Sequence, residues 1–444
     1  MRHNLTGTAA MRLSLPLFAI VAGLSLAACS QPRPDASGTF GADPQIGAPT
    51  AGAIPTLNNA KAVGWPAGGA PVPAAGFTVT RYAEGLAHPR WLYLLPNGDV
   101  LVAEATSHPS TGRGIETQIA NNLMRSGGAF AGDANHITLL RDADGDGDVD
   151  LKTPFIVGLS QPMGMALIGD SLYVANTDAL LRFPYTPDAT SITVAGEKII
   201  DLPHHAANNG HWTRTLAASA DGTKLFIAIG SASNIGEAGA EAEKDRAAIW
   251  ELELATKAHR VFASGLRNPV GIGWEPSTQT LWTSVNERDL LGDDLVPDYF
   301  TSVKDGAFYG WPYSYYGQHV DTRVKPQDAA LVARAIAPDY ALGAHTASLG
   351  LHFYTGTALP AAYRGGAFIG QHGSWNRSVP AGYKVIFVPF ANGKPNGEPQ
   401  DFLTGFLNAR GEAQGRPVGV AQDRTGAILV ADDVGKIVWR VAPQ

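Results

Sequence analysis

Three of the 12 histidines, His204, His205 and His211, fall within residues 204–214, just before an apolar stretch. A histidine at such a place can act as a general base, because its ordinary pKa lies near neutral pH, or as a metal ligand. It can also be a loop residue bonded to a backbone carbonyl. No HExxH sequence and no cysteine partner supports a zinc site. Composition alone leaves the role of these histidines open.

The aspartate-rich run at residues 142–150 looks like the first half of a calcium-binding loop. Asp142, Asp144 and Asp146 occupy positions 1, 3 and 5 and a glycine follows at position 6, but Thr153 stands where the bidentate glutamate belongs. Five acidic residues in nine repel one another without a cation. We expect a structural calcium site at the surface, with a solvated acidic turn as the alternative.

A second acidic loop, residues 286–289 with 292–294, directly follows an apolar strand. Its carboxylate and carbonyl oxygens can hold calcium, or it can be a solvated loop between strands. Three cations, Arg267, Lys384 and Arg416, stand beside predicted strand ends, where each alone is more typical of a surface charge than of an anion ligand. No Walker loop, no GxGxxG after a strand and no GxSxG elbow occurs, which argues against phosphate, nicotinamide and serine hydrolase chemistry.

An imperfect repeat must position these residues. Each copy has a proline or turn, an apolar strand, a Gly-centred turn and a second strand that ends in a small or polar residue. The six copies lie at 89–104, 162–176, 215–230, 269–285, 366–388 and 417–432. Antiparallel pairs repeated at 40 residues or more are typical of a propeller. The sequence therefore predicts an all-β, six-bladed β-propeller over residues 76–444, with long loops on one face where functional groups usually lie.

Two further elements complete this prediction. Residues 77–82 are expected to supply an outer strand that closes the ring against the last blade. The sequence supports a helix only at residues 239–246.

The overall charge restricts the partners. A formal net charge of -7 and a pI near 5.9 supply no broad basic field, which makes nucleic acid and anionic lipid surfaces poor partners. A neutral or cationic small molecule fits better.

The first 28 residues have the pattern of a lipoprotein signal peptide. Arg2 and Arg12 flank the start, residues 13–26 are apolar but too short to span a bilayer, and Leu-Ala-Ala-Cys ends at Cys29. Met11 is an alternative start. Cys29 is the single cysteine, which excludes disulfides within the chain and cysteine-based metal sites.

We expect acylation of Cys29 rather than a leftover thiol, and hence a protein anchored by lipid on the periplasmic face of a bacterial membrane. Residues 29–75 are rich in Ala, Gly and Pro and are predicted to be a tether.

Six segments taken in order resemble one known family. They are residues 210–214, 265–271, 286–289, 309–312, 373–377 and 415–417. Together they are similar to the soluble pyrroloquinoline quinone (PQQ)-dependent glucose dehydrogenases, and more closely to the L-sorbosone dehydrogenase branch, over about residues 77–442. The resemblance implies a quinoprotein dehydrogenase that oxidises an aldose or a sugar aldehyde with PQQ and calcium and passes electrons to an unidentified acceptor.

The resemblance also implies roles for single residues. The family's catalytic base falls on His211. Its cofactor-binding arginine and asparagine fall on Arg267 and Asn268, and a further arginine falls on Arg416. The remaining cofactor positions carried over are Gln161, Thr346 and a lysine at Lys384, or Arg377 with a shifted alignment. The family's calcium is held partly by main-chain carbonyls of the loop that contains Glu287 and Arg288.

Two positions depart from the family pattern. Ser231 replaces the aspartate that orients the base, so Glu237 is the candidate for that task, and Val418 replaces a last cofactor arginine. Two alternatives therefore remain: a calcium-dependent propeller lactonase, in which calcium and a histidine activate water, and a noncatalytic sugar-binding propeller of the envelope.

Overall fold

Six antiparallel sheets follow one another along the chain and form a six-bladed β-propeller, which confirms the predicted fold. The computed structural model describes residues 36–50, 52, 56–111, 114–130, 134–204 and 209–444. The blades are numbered here in chain order, and the strands of each are given from the innermost outwards.

The first three blades have four strands each. Blade 1 contains Pro89–Leu94, Val100–Glu104, His136–Arg141 and Leu151–Ile156. Blade 2 contains Met165–Ile168, Ser171–Ala175, Ala179–Pro184 and Glu197–Asp201. Blade 3 contains Arg214–Ala218, Lys224–Ile229, Ala248–Glu253 and His259–Ser264.

The last three blades each draw on residues from the beginning of the described chain. Blade 4 contains Pro269–Trp274, Leu281–Val285, Pro297–Ser302, Tyr340–Ala344 and Phe40–Gly41. Blade 5 contains Ser348–Phe353, Gly366–Gln371, Lys384–Ala391, Gln400–Thr404 and Val72–Pro73, and Lys394–Pro395 pairs with its third strand. Blade 6 contains Pro417–Gln422, Ile428–Asp432, Ile437–Pro443 and Phe77–Glu84.

The outer strand of blade 6 closes the ring, as predicted for residues 77–82. Phe77–Glu84 pairs antiparallel with Ile437–Pro443 over its whole length. The first and last strands of the repeat region thus share one sheet, so the ring has no free edge at the junction.

Glycines on the inner strands let neighbouring blades approach closely. A Cβ on Gly350 would lie 2.0 Å from the carbonyl oxygen of Val418, and one on Gly419 would lie 2.7 Å from that of Arg90. Both contacts are with backbone, which cannot swing aside. Gly350 and Gly419 are therefore a packing requirement of the ring.

Short helices lie in the connections. They are the α-helices Ile115–Ser126, Ala240–Glu243 and Ala329–Arg334 and the 3-10 helices Ala36–Thr39 and Ala361–Tyr363. Ala240–Glu243 lies within the predicted helix, whereas Ile115–Ser126 was not expected. Ile115 is 76% exposed and the Gly114 N-cap offers no side-chain cap, so the usual sequence signals for a helix are weak there. Ser314–Tyr315 and His319–Val320 form a small separate ladder.

Residues before the propeller bind to it, in contrast to the tether expected for 29–75. Phe40–Gly41 extends blade 4 and Val72–Pro73 extends blade 5. Trp65 packs edge-on against Trp439 with ring centroids 5.3 Å apart. The small residues of this stretch leave its backbone free to bond with the blades, which composition alone does not reveal. The expected boundary at residue 29 lies outside the described residues.

Two kinds of loop leave the propeller at the same end of the strands, because neighbouring strands are antiparallel. One kind joins the second and third strands of a blade, and the other leads from one blade to the next. We call their common side the upper face and the opposite side the lower face. Within the described part of the chain, no helix has the length and apolar character needed to cross a bilayer.

Candidate functional site

The predicted catalytic histidine lies on the upper face, in the loop that leads into blade 3. His211 Nδ1 lies 2.9 Å from Ser231 Oγ and 3.1 Å from the Ser231 carbonyl oxygen. Ser231 Oγ uses its own proton to bond the carbonyl of Ser233 at 2.6 Å. Both oxygens of Ser231 can therefore only accept from the imidazole, so Nδ1 carries the proton and Nε2 keeps a lone pair.

The charges around His211 keep it neutral. Burial and the guanidinium groups of Arg267 and Arg246 hold the pKa of His211 well below its usual range, although Asp289 acts in the opposite direction. A neutral imidazole with a free Nε2 lone pair can accept a proton at neutral pH. Ser231 therefore does the orienting task that was expected of Glu237, whose carboxylate instead binds the backbone N–H groups of Asn234 and Ile235.

Arginine 246 fixes the backbone around the histidine. Its Nη2 donates to the carbonyls of His211 and Ser231 at 2.9 and 3.0 Å, and its Nε donates to that of Gly230 at 2.8 Å. A single buried side chain thus joins the loop of His211 to the loop of Ser231. No sequence pattern indicates this role, because Arg246 lies within the segment predicted as a helix.

Asn268, a predicted cofactor-binding residue, lies beside His211. A Cβ on Gly230 would meet Asn268 Oδ1 at 2.3 Å and His211 Cβ at 2.5 Å, so the two side chains flank that glycine. Asn268 Oδ1 is buried and has no hydrogen-bond partner. A buried amide oxygen without a partner indicates that a ligand or water belongs next to it.

Arg267 is buried and bound by several acceptors. Its Nη1 donates to the Glu287 carbonyl at 2.6 Å, and its Nη2 donates to Asn234 Oδ1 and Asp289 Oδ2, both at 2.9 Å. The positive charge is therefore held rigidly between the loops of blades 3 and 4. It lies close enough to His211 to lower the pKa of that residue.

Asp289 joins three loops of the upper face. In addition to Arg267, it accepts from Asn376 Nδ2 at 3.0 Å and lies 3.5 Å from His345 Nδ1. Although burial opposes ionisation, Arg267 and His345 lower the pKa of Asp289 to about 2. His345 Nε2 faces the Gly292 carbonyl at 2.8 Å. Both ring nitrogens of His345 thus meet acceptors, and despite its burial the bond with Asp289 raises the pKa of His345.

The predicted calcium-binding loop at Glu287 and Arg288 fits a cation poorly. The Glu287 carbonyl already accepts from Arg267, so an ion bound there would face a guanidinium. The Glu287 carboxyl is buried and accepts from the Arg288 backbone N–H at 2.7 Å, and burial raises its pKa to about 7. The Arg288 side chain lies 3.1 Å from Asp321. We therefore derive no reaction step through calcium at this loop.

Thr346 lies beneath this region in a buried network. Its Oγ1 donates to Asp298 Oδ2 at 3.0 Å and lies 2.9 Å from Ser348 Oγ. Asp298 also accepts from the Glu287 and Ser348 backbone N–H groups at 2.9 and 2.7 Å. The network links the loop between the second and third strands of blade 4 to the segment that leads into blade 5. Thr346 therefore supports the floor of the site, in contrast to the direct cofactor contact carried over from the family.

Arg416 belongs to a second group of charged residues. Its guanidinium lies 4.9 Å above the ring of Tyr383, and its Nε is buried without a hydrogen-bond partner. Burial lowers the pKa of the neighbouring His372, and the charges of Arg416 and Arg90 act in the same direction. Asp433 accepts from His372 Nε2 at 2.8 Å and from Arg90.

Sequence patterns missed His372, Asp433, Arg90 and the neighbouring His88. His372 and Asp433 lie in upper-face loops of blades 5 and 6, whereas His88 and Arg90 lie where the chain enters blade 1. None of the four belongs to a functional motif. His88 is also buried, and burial lowers its pKa to about 4. A charged residue next to a predicted buried strand was the available signal. Val418, which replaces a family arginine, is fully buried in the core between the blades.

Gln161 and Arg377 lie on the upper face but are bonded to groups of neighbouring loops. Gln161 Nε2 donates to the Thr106 carbonyl at 2.7 Å and is buried. Arg377 Nε and Nη2 donate to Asp293 O at 2.9 Å and Asp294 Oδ1 at 2.8 Å. Arg377 therefore holds the acidic loop of blade 4.

Lys384 lies apart from the group on the upper face. It pairs with Asp401 on the fourth strand of blade 5. The third strand lies away from the propeller axis, so Lys384 does not join Arg267 and Arg416. Lys384 does lie at a strand end, as expected from the sequence. Spacing along the chain, however, does not show which strand of the blade this is.

The aspartate cluster lies on the lower face, between the third and fourth strands of blade 1. One oxygen from each of Asp142, Asp144 and Asp146 lies within 4.8 Å of the others. Asp142 also accepts from the Gly145 and Gly147 backbone N–H groups at 2.6 and 3.0 Å. The three carboxylates are thus close enough to share a cation, as the predicted loop requires, and they lie on the opposite face from His211. Cys29 and His205 lie outside the described residues.

A polar cavity adjoins the histidine loop. It has a volume of about 300 Å³ and is lined by residues on either side of His211 and by loops of blades 1 and 2. They include Ser107, Gln161, Thr177, Gly210 and Trp212. The cavity is large enough for a small polar molecule.

The sequence is similar to those of known proteins. The chain is 30% identical over 292 residues to an uncharacterized protein of Borreliella burgdorferi, which is 64% of this chain and 76% of that protein. It is 26% identical over 373 residues to the pyrroloquinoline quinone-dependent pyranose dehydrogenase of Coprinopsis cinerea. That match covers 72% of this chain and 46% of the relative, so the chain spans about half of that enzyme's length.

The fold also matches a solved structure. The calcium structure of the Trichoderma reesei family AA12 enzyme aligns with a TM-score of 0.67 at 20% identity, covering 84% of this chain and 97% of that one. At this identity the likeness concerns the fold.

The fold and the upper face together define a six-bladed propeller with a neutral histidine and buried cations at one mouth of the ring. The model of the TrAA12-like family matches residues 71–297 and 308–443, and the chain belongs to that family. The resemblance to PQQ-dependent sugar dehydrogenases that the motifs indicated is confirmed at the family level.

Proposed function

We propose that the protein is a quinoprotein dehydrogenase that oxidises an aldose or a sugar aldehyde with PQQ. The observation that carries this proposal is the pairing of a neutral, oriented His211 with buried cations on the same face. Family membership and the named activity of the Coprinopsis cinerea relative support it.

The residues of the upper face fit PQQ, which has three carboxylates and quinone oxygens. Arg416 and Asn268 each keep a buried polar atom without a partner, and Arg90 does as well. Guanidinium N–H groups are the donors that the carboxylates and carbonyl oxygens of such a ligand require, and the Asn268 amide can add a donor through Nδ2. Arg267 supplies a fixed positive charge beside His211. When bound, PQQ would supply the two-electron acceptor for a hydride.

His211 would hold the proton that leaves the substrate. Its Nε2 accepts the proton of the hydroxyl group on the carbon that loses hydride, which leaves a carbonyl product. Ser231 keeps the proton on Nδ1, and Arg246 keeps the loop in place. The cavity beside Gly210 and Trp212 adjoins the loop of His211 and would receive the sugar ring.

Calcium is proposed at Asp142, Asp144 and Asp146, where three carboxylates converge on the lower face. Calcium prefers such oxygen ligands. The loop of Glu287 and Arg288, which the resemblance implies as the family's calcium position, is not included because the Glu287 carbonyl already accepts from Arg267.

The decisive experiment titrates the full chain, loaded with calcium, with PQQ and then follows absorbance as aldoses or sorbosone are added. Saturable binding and sugar-dependent reduction are expected. His211→Ala should abolish turnover and keep PQQ binding, whereas His259→Ala should leave both unchanged, because His259 stacks on Trp250 on the exposed outer strand of blade 3.

Absence of PQQ binding would refute the dehydrogenase. Hydrolysis of a lactone that requires calcium and His211 but no PQQ would favour the lactonase, and sugar binding without turnover would favour the noncatalytic propeller.

We also propose that the protein is anchored by acyl chains on Cys29 at the periplasmic face of a bacterial membrane. The Leu-Ala-Ala-Cys sequence at residues 26–29 supports this. Incorporation of a labelled fatty acid that is lost in Cys29→Ser is the expected result, and label retained in that variant would contradict the proposal.

A further inference from the structure

We propose that residues 56–65, the N-terminal strap, complete the active site by holding Arg416 in place to bind a carboxylate of the cofactor, and that Asn59 is the positioning residue. This inference rests on the proposed function and deepens it. The strap lies outside residues 71–297 and 308–443, which the family model matches.

Asn59 bonds on both sides. Its Oδ1 accepts from Arg416 Nη2 at 2.8 Å, and its Nδ2 donates to the Leu123 carbonyl at 2.7 Å. The Ala60 carbonyl accepts from the same Nη2 at 3.1 Å. One amide thus links the Arg416 guanidinium to the end of the helix Ile115–Ser126 in blade 1.

The strap is itself fixed at several points. Asn58 donates its backbone N–H to the Trp375 carbonyl at 2.8 Å, and Ala62 donates to that of Ser126 at 2.8 Å. Val63 bonds to the Ala413 carbonyl at 2.8 Å. These contacts reach loops of blades 5, 1 and 6, all on the upper face. The acceptors offered to Arg416 are therefore held by the fold and not by a loose segment.

Trp65 fixes the backbone of Arg416 from the other end of the strap. Trp65 Nε1 donates to Asp432 Oδ2 at 2.7 Å, and the other oxygen of Asp432 accepts the Arg416 backbone N–H at 2.8 Å. The strap thus acts on Arg416 at both its backbone and its guanidinium.

The contacts leave part of the guanidinium for a ligand. Nη2 is occupied by the strap and the face of the ion lies over Tyr383, but Nε has no hydrogen-bond partner. Because Asn59 and Ala60 accept from one edge of the planar Arg416 guanidinium, they fix its orientation, and its remaining N–H groups keep a defined direction. Ordering the group before the ligand binds reduces the entropy that binding must overcome.

The test uses the full chain with Asn59→Ala and, as a matched control, Asn97→Ala. Asn97 also bonds two side chains, Asp99 and Asp188 at 2.9 and 3.0 Å, but it lies in a hairpin on the lower face. We expect the dissociation constant for PQQ to rise about tenfold in Asn59→Ala, which corresponds to about 1.4 kcal/mol, and to stay within about twofold in Asn97→Ala.

Hydrogen–deuterium exchange without PQQ supplies an independent measurement. Asn59→Ala should speed exchange in the segment around residues 413–418, and Asn97→Ala should not. Unchanged PQQ affinity or unchanged exchange in Asn59→Ala would overturn the role of the strap. If the wild-type protein binds no PQQ, the proposed function fails, and the exchange measurement alone decides whether Asn59 positions Arg416.

Discussion

Replacing Ser231 with aspartate should move the acid limb of the pH–rate profile to higher pH. Ser231 is fully buried and its Oγ lies 2.9 Å from His211 Nδ1. In the wild-type protein, burial and two arginines hold the pKa of His211 below its usual range. A carboxylate at that distance favours the imidazolium, and such partners shift a pKa by about 1 to 3 units.

The sign follows from the role of Nε2. His211 accepts a proton only when Nε2 is free, so activity is lost as pH falls through the pKa of the imidazole. Raising that pKa brings the loss to a higher pH, so Ser231→Asp should lose activity at a higher pH than the wild-type enzyme while keeping most of it near pH 8. The wild-type enzyme should still be active at pH 6.

The measurement is kcat/KM from pH 5 to 9 with PQQ-loaded protein. Ser231→Asn is the control, since it keeps an oxygen acceptor and adds a side chain of the same size without charge. Ser231→Ala should lower kcat/KM about 2- to 13-fold at all pH values, because a hydrogen bond contributes about 0.5 to 1.5 kcal/mol and the Ser231 carbonyl remains at 3.1 Å. Superimposable profiles of the Asp and Asn variants would refute His211 as the titrating base.

Two further predictions concern the ring and the metal. Gly350→Ala should lower the free energy of unfolding in urea by about 1 to 3 kcal/mol, because its Cβ would meet the Val418 carbonyl at 2.0 Å. Gly47→Ala is the control, since a Cβ there would have nothing within 4 Å. Coincident unfolding curves for the two variants would contradict the packing argument. Chelation of calcium should lower the melting temperature of the wild-type protein but not that of Asp142→Asn, and the affinity for PQQ should stay unchanged in both proteins. If the melting temperature of the wild-type protein does not respond to the chelator, the calcium site at Asp142 is excluded.

The ring was predictable because its signals are local. Alternation and turn residues within each repeat define hairpins, and the outer strand of blade 6 followed from an unpaired apolar segment at residues 77–82. The strap was not predictable, since its small residues bind through backbone and are compositionally like a linker. Trp65 was the one large side chain that could have drawn attention to it.

The site was predictable only where several functional residues fall in one segment. His211, Arg267 and Asn268 stand in family motifs, and the structure brings them to one face. His372, Asp433 and Arg90 come from separate blades, so their meeting depends on ring closure. Lys384 shows how a sequence position can mislead. It lies at a strand end, as predicted, but that strand is the third of its blade, away from the propeller axis, and Lys384 pairs with Asp401.

The charge distribution of the upper face favours an anionic ligand over a bare cation. Asp289 is shared by Arg267 and His345, and both nitrogens of that histidine face acceptors, which favours its charged form beside the carboxylate. Asp433 is likewise bound by Arg90 and His372. Carboxylates that are already surrounded by donors have little capacity to bind calcium, whereas Arg416 keeps a donor without a partner.

A lactonase would need converging free carboxylates near His211, and in the described residues the only cluster of three groups suited to a metal lies on the lower face. The upper face is therefore arranged for a polycarboxylate cofactor next to a proton-accepting histidine.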